Sequence, residues 1–215
     1  RQMCIRDRMT TVLDDNVHNL AVDGTFDDCQ DIVKALFSDK AFNDQHHLGA
    51  INSINWARIL SQIVYYFAAF FALRREQPQI DASSVQVVVP TGNFGDILAG
   101  YYAKRLGVPM SKLVVATNEN DILQRFWATG RYEKESASGE VRATLSPAMD
   151  ILVSSNFERL LWYLAHESDT EADDKEEAAG QQVTQWMHEL KTRGSFAVSD
   201  AQWELAKRDF LAERV

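Results

Sequence analysis

Cysteine is almost absent from this chain, and its scarcity limits the chemistry that the protein can perform. The two cysteines, Cys4 and Cys29, have no metal-binding spacing and give no framework of disulfide pairs. His46 and His47 are adjacent, rather than four residues apart as in a helical metal site. We therefore expect no metal site, and the low cysteine content favours a reducing compartment such as the cytoplasm.

Positive charge and long apolar runs are also lacking. The 215 residues include 22 Lys and Arg against 31 Asp and Glu, a formal net charge of -9, whereas a nucleic-acid surface is normally basic. The longest apolar run, residues 63–73, is well short of the roughly 20 residues that a helix needs to span a bilayer. The sequence therefore predicts neither a nucleic-acid partner nor a membrane span.

Apolar strands and amphipathic helices alternate in the first two thirds of the chain. This pattern is typical of an α/β fold in which a parallel sheet has flanking helices. Predicted strands cover residues 18–22, 85–89 and 113–116, and predicted helices cover residues 25–37, 52–75, 96–106 and 121–127, with a polar loop at 38–49. The strand at 85–89 is apolar throughout, as expected for a strand covered on both faces, and the helix at 52–75 is apolar nearly all round, as expected for a buried helix.

The last third is mainly helical. A helix is expected to start at Ser146-Pro147, and further helices are expected over residues 157–166, 171–191 and 199–211, the last with a Ser199–Gln202 capping box. Residues 130–141 are polar and loop-like. We predict a partial α/β domain over residues 9–150 and a truncated helical part over 151–215, while residues 1–8 join awkwardly to the rest and suggest a non-native leader.

The segment Pro90-Thr91-Gly92-Asn93-Phe94-Gly95-Asp96 is the strongest chemical signal. It lies between a strand and a helix, so backbone N–H groups and the positive end of a helix dipole would converge there on an anion such as phosphate. The glycine spacing matches neither a nucleotide P-loop nor a dinucleotide fingerprint. On local features, an anion site and a simple tight turn with Asp96 as the N-cap remain equally open.

A second candidate site lies at residues 52–58. Asn52, Asn55 and Arg58 are three residues apart and would share one face of a helix start, where two amides and a guanidinium suit a small anionic substrate. The alternative is a capped helix with a salt-bridging arginine.

Five ordered motifs make residues 9–215 resemble threonine synthases. They are Ala-Val-Asp-Gly-Thr-Phe-Asp-Asp-Cys-Gln (21–30), Gly-Ala-Ile-Asn-Ser-Ile-Asn-Trp-Ala-Arg (49–58), Pro-Thr-Gly-Asn-Phe-Gly-Asp-Ile-Leu-Ala-Gly (90–100), Ala-Thr-Asn-Glu-Asn-Asp (116–121) and Thr-Leu-Ser-Pro-Ala-Met-Asp-Ile (144–151). The resemblance implies a pyridoxal-phosphate (PLP) enzyme of fold type II, the tryptophan synthase β-like fold. It also implies the conversion of O-phospho-L-homoserine and water to L-threonine and phosphate.

The resemblance also implies site residues. Gly92, Asn93, Phe94, Gly95 and Asp96 would hold the cofactor's phosphate, chiefly through backbone amides, and Asn52, Ser53, Asn55 and Arg58 would lie near the substrate. No residue of this chain is assigned a catalytic role.

Parts of the family's pattern are missing from the chain. No lysine stands in the family's Phe-Lys-Asp context, which supplies the Schiff-base lysine, and we expect a fragment truncated at both ends that is inactive by itself. Two alternatives remain open: another PLP-dependent lyase of the same fold, and a non-catalytic phosphate-binding homologue. The sequence does not indicate an oligomeric state.

Overall fold

The computed structural model describes residues 11–24, 26–50, 54–134, 141–146, 149–168 and 173–214. Eight α-helices and five strands lie in these ranges. The helices are α1 (Phe26–Ser38), α2 (Lys40–His46), α3 (Trp56–Glu76), α4 (Gly95–Arg105), α5 (Ile122–Thr129), α6 (Phe157–Ser168), α7 (Lys175–Arg193) and α8 (Asp200–Asp209). The strands are β1 (Val87–Pro90), β2 (Leu113–Thr117), β3 (Arg131–Glu133), β4 (Ser195–Ala197) and β5 (Phe210–Arg214), and a short 3-10 helix spans Ala82–Ser84.

A parallel sheet forms the centre of the fold, in the order β1-β2-β5. Val89 pairs with Val115, and Val115 pairs with Ala212, so all three strands run in the same direction. The predicted α/β class with flanking helices is therefore confirmed. Strand β2 is buried along its whole length, but β1 lies at the edge of the described sheet and Val88 is 62% exposed. The expectation that both faces of the strand at 85–89 are covered was therefore wrong.

Strand β5 was not expected from the sequence. The predicted helix at 199–211 ends at Asp209, and Phe210 turns to extended backbone and buries its ring completely. Leu211, Ala212 and Glu213 favour a helix when judged alone, but pairing with β2 overrides this weak local preference. The capping box of Ser199 and Gln202 is present as expected.

The long helix α3 is mostly exposed, which contradicts the expectation that it is buried. Only Ile59, Ile63 and Tyr66 are buried, because they form the single stripe that faces α4. By length and composition alone, α3 could cross a membrane, although the same test is passed by helices that pack within soluble proteins. The absence of a membrane span therefore stays a prediction.

Three further expectations on local structure differ from the described chain. Residues 18–22 form no strand, the expected loop at 38–49 contains helix α2, and the loop at 130–141 contains strand β3, which pairs with β4. Asp39 explains α2, because its carboxylate accepts a hydrogen bond from the Phe42 N–H and caps the helix. The helix expected at Ser146-Pro147 falls partly outside the described residues, and residues 149–156 contain no α-helix.

Gly100 allows α3 and α4 to approach each other closely. A Cβ at this position would lie 2.6 Å from Cε1 of Tyr66 and 2.9 Å from Cδ2 of Leu113. Gly180 lies within α7, where a Cβ would meet nothing within 4 Å. These two helical glycines therefore form a matched pair.

We expect Gly100→Ala to destabilise the protein by about 2 kcal/mol, because the overpacked methyl group must displace a buried ring. Gly180→Ala should instead stabilise it by roughly 0.5–1 kcal/mol, through the higher helix propensity of alanine. Urea denaturation of both variants measures the difference. Equal effects of the two substitutions would contradict the close packing at Gly100.

Candidate functional site

The loop between β1 and α4 takes an unusual backbone conformation. Phe94 is the N-cap of α4 and has φ 64 and ψ 8, the left-handed region that side chains other than glycine rarely occupy. Asp96, which the sequence predicted as the N-cap, lies instead in the first turn of the helix, and no side chain in the described part of the chain caps this end. A strained residue of this kind persists only where its surroundings hold it in place.

The ring of Phe94 provides that anchor. It is 1% exposed, and its centroid lies 5.4 Å from that of Phe157, 5.8 Å from that of Phe210 and 6.1 Å from that of Trp127. The aromatic core therefore fixes the loop from below. The side chain of Phe94 is therefore committed to the core, and only its backbone belongs to the open part of the loop.

Several backbone donors of the loop are unpaired. Within the described residues, the N–H groups of 93–97 have no protein acceptor, and the first hydrogen bond of the helix runs from the Leu98 N–H to the Phe94 oxygen. The positive end of the α4 dipole adds to the field of these groups. The loop therefore presents a cluster of backbone donors of the kind that suits an anion.

Asp96 lies beside this group of donors but is held by α3. The Tyr66 hydroxyl lies 2.9 Å from the Asp96 backbone oxygen and 3.4 Å from its Oδ1. Partial burial raises the pKa of the Asp96 carboxyl, and the hydrogen bond from Tyr66 opposes that rise. Burial and the nearby Asp96 carboxylate both raise the pKa of Tyr66, so its hydroxyl stays protonated as the donor.

Two threonines flank the same edge of the sheet. The Thr91 N–H donates to the Ala116 oxygen at 2.8 Å, which places the loops after β1 and β2 side by side at the carboxyl ends of their strands. In open α/β sheets, ligands bind at this edge. The Thr117 hydroxyl, at the carboxyl end of β2, is buried and has no hydrogen-bond partner among the described residues.

The segment Ser154-Ser155-Asn156 supports the loop from the other side. The Ser154 hydroxyl donates to the Gly92 oxygen at 2.5 Å, the Ser155 hydroxyl lies 3.2 Å from Oδ1 of Asn93, and the Asn156 N–H and Nδ2 donate to the Asn93 oxygen at 3.1 Å and 3.0 Å. The Tyr132 hydroxyl in turn accepts from the Ser154 N–H. These residues were missed in the sequence, where a short polar run before an apolar helix signals only a helix start.

Asp150 joins two of the motifs that carry the family resemblance. Its carboxylate is buried and accepts from the Thr144 N–H at 2.8 Å, the Thr144 hydroxyl at 2.7 Å and Asn118 Nδ2 at 2.7 Å. Asn120 Nδ2 also donates to Oδ1 of Asp150, at 3.2 Å. The network fixes the loop after β2 against the segment around Thr144 and Asp150.

The second candidate site is only partly described. Asn52 and Ser53 lie outside the described residues, and the helix begins at Trp56 rather than at residue 52. Asn55 is the N-cap: its Oδ1 accepts from the Ala57 N–H, and its Nδ2 donates to the Ala50 oxygen. Arg58 is exposed, and its backbone N–H and oxygen bond to the Asn55 oxygen and the Ser61 hydroxyl, but its guanidinium has no hydrogen bond or ion pair with any described residue. Of these four candidates, only Arg58 therefore has a described and uncommitted side chain.

Comparison with known proteins finds threonine synthases. The chain is 58% identical over 209 residues to threonine synthase from Saccharomyces cerevisiae and 48% identical over 205 residues to that from Pseudomonas aeruginosa, covering 97% and 95% of this chain. The crystal structure of threonine synthase from yeast aligns with a TM-score of 0.81 over 97% of this chain and 39% of that one. A PLP-bound threonine synthase from Brucella melitensis aligns at 0.73, over 93% of this chain and 39% of that one. No family model matches the chain.

These similarities define the class: the chain has the fold type II architecture of PLP-dependent enzymes. Within that class it belongs to the threonine synthase family. It spans about two fifths of the length of the relatives it matches (39% for the S. cerevisiae enzyme and 41% for that of Schizosaccharomyces pombe).

We expect Asp150→Asn to cost about 2 kcal/mol of stability, because its amide nitrogen would face donors where the carboxylate accepts. Asp44→Asn removes an exposed ion pair with Lys40 and should change stability by less than about 0.5 kcal/mol. Chemical denaturation of both variants measures this contrast. A loss at Asp150 no larger than that at Asp44 would show that the network does not hold the two loops together.

Proposed function

We propose that this chain is part of a threonine synthase that converts O-phospho-L-homoserine and water to L-threonine and phosphate with PLP as cofactor. Membership of the family supports the proposal, and so does the name of the PLP-bound relative. The observation that carries it is the set of unpaired backbone N–H groups at residues 93–97, at the carboxyl edge of the sheet.

The residues present fit a phosphate group of this cofactor. The amides of Gly92, Asn93, Phe94, Gly95 and Asp96 would surround its phosphate, and no lysine is required because the donors and the helix dipole already favour negative charge. The buried Thr117 hydroxyl, which lacks a described partner, offers a further hydrogen bond. When bound, PLP supplies the electron sink for the reaction.

The protein's contribution is to bind and orient. Phe94, anchored in the aromatic core, holds the amides in place so that they need not reorganise when the phosphate arrives. Arg58 offers an uncommitted cation to an anionic group of the substrate, and Asn55 positions the start of its helix. Asn52 and Ser53 remain substrate-site predictions of the sequence.

Other predictions complete the proposal. The substrate is a small molecule, the enzyme works in the cytoplasm, and neither nucleic acid nor membrane is a partner. The division into an α/β part at 9–150 and a mainly helical part at 151–215 also stays a prediction, with the addition that β5 joins the sheet of the first part.

The activity is tested by measuring phosphate release and threonine formation with the enzyme that carries this chain. O-phospho-L-homoserine should yield both products in equal amounts, whereas other amino-acid substrates should not. The 215-residue chain alone should form no threonine, because none of its lysines stands in the Phe-Lys-Asp context. Turnover of a different substrate would indicate another lyase of this fold, and PLP binding without turnover would indicate a non-catalytic homologue.

Phosphate recognition by the loop is tested with Asn93→Asp. The aspartate keeps an oxygen for the Ser155 hydroxyl and adds a negative charge beside the proposed phosphate. We expect the affinity for PLP to fall at least tenfold, because about 1.4 kcal/mol of repulsion suffices for that change. The affinity for pyridoxal, which lacks the phosphate, should stay nearly constant.

The matched control is Asn43→Asp, which adds the same charge in α2, a different element, while keeping the oxygen that accepts from the Leu48 N–H. It should leave both affinities unchanged. An equal loss of PLP and pyridoxal binding in Asn93→Asp would refute phosphate binding by the loop.

A further inference from the structure

Arg159 connects α6 to the segment that precedes α3. Its NH1 nitrogen donates to Asn156 Oδ1 at 2.9 Å, and its NH2 nitrogen donates to the Ile54 oxygen at 2.7 Å. The guanidinium carbon also lies 5.8 Å from the centroid of the Trp56 ring, the first residue of α3. One side chain thus makes three contacts that place the start of α3 relative to α6.

Asn156 continues this connection to the phosphate loop. It is fully buried, and its N–H and Nδ2 both donate to the Asn93 oxygen. Because Nδ2 and Oδ1 belong to one rigid amide plane, any turn of this amide that follows the Asn93 oxygen also moves the oxygen that Arg159 contacts. An unbroken path of hydrogen bonds therefore runs from the Asn93 oxygen through Asn156 and Arg159 to the Ile54 oxygen.

An anion in the loop would strengthen this path. The oxygen of Asn93 and the N–H of Phe94 belong to the same peptide group, and that N–H is one of the unpaired donors. An anion that accepts from the N–H polarises the peptide and makes its oxygen a better acceptor for Asn156. The effect then reaches Arg159 through the Asn156 amide.

We propose that Arg159 is a positioning residue that couples phosphate binding at the Gly92–Asp96 loop to the order of residues 54–58, which carry Asn55 and Arg58. This inference rests on the proposed function, because the bound phosphate is that of PLP. Coupling of this kind is reciprocal: order at residues 54–58 tightens PLP binding by the same factor by which PLP increases that order.

Hydrogen exchange read by mass spectrometry tests the coupling in the enzyme that carries this chain, with and without PLP. In the wild type, PLP should slow exchange both at residues 93–98 and at residues 54–58. In Arg159→Met, PLP should still slow exchange at residues 93–98 but no longer at residues 54–58. The affinity of this variant for PLP should fall about fivefold or more. The KM for the substrate should rise more than kcat falls, because the altered segment positions the substrate.

The matched control is Arg105→Met. Arg105 also lies against aromatic rings, those of Tyr101 and Tyr163, and it pairs with Glu167, but it has no contact with the path described above. This variant should retain slow exchange at both segments. If PLP fails to slow exchange at both segments in both variants, the two substitutions act through general stability, and the proposal is overturned.

Arg159→Lys decides the matter if Arg159→Met fails to fold. The lysine keeps the charge but has a single side-chain nitrogen, whereas arginine uses its two terminal nitrogens here. Lysine therefore cannot reproduce the fork between Asn156 and Ile54. Slowing at 54–58 should fall below that of the wild type. Full PLP-dependent slowing at 54–58 in either Arg159 variant would overturn the coupling, whereas a wild-type enzyme in which PLP slows exchange at neither segment would instead refute the proposed PLP site.

Discussion

The backbone oxygen of Asn93 is the acceptor on which the site depends. It receives two hydrogen bonds from the fully buried Asn156, and these orient the peptide whose N–H is one of the unpaired donors of the loop. Buried polar groups are stabilising only when they are paired, so this arrangement requires the short polar segment before α6. The loop and the segment before α6 therefore form one structural unit, although they lie about sixty residues apart in the sequence.

The aromatic core also holds the loop in place, through packing rather than hydrogen bonds. The rings of Phe94, Phe157 and Phe210 come from the loop, from α6 and from β5, and they meet beneath the sheet edge. Their packing offsets the energetic cost of the left-handed conformation of Phe94. A residue that the sequence presents as part of a phosphate motif thus contributes by packing.

The sequence predicted the parallel sheet and the loop because both depend on local patterns, namely apolar strands and a glycine-bearing strand-to-helix turn. It did not predict β5, because the residues of 211–213 favour a helix until β2 offers them hydrogen bonds. Nor did it predict the roles of Ser154 and Asn156, since their partners are distant in the sequence. The burial of α3 was overestimated because an apolar composition does not specify how many neighbours a helix has.

The double hydrogen bond to Asn93 has a kinetic consequence. A loop whose peptide planes are fixed in advance needs no conformational search when its ligand arrives. Association should then proceed at a rate set by encounter, and differences in affinity between ligands should appear mainly as differences in residence time. If the loop holds PLP as proposed, its rigidity would lengthen the time for which the cofactor stays bound.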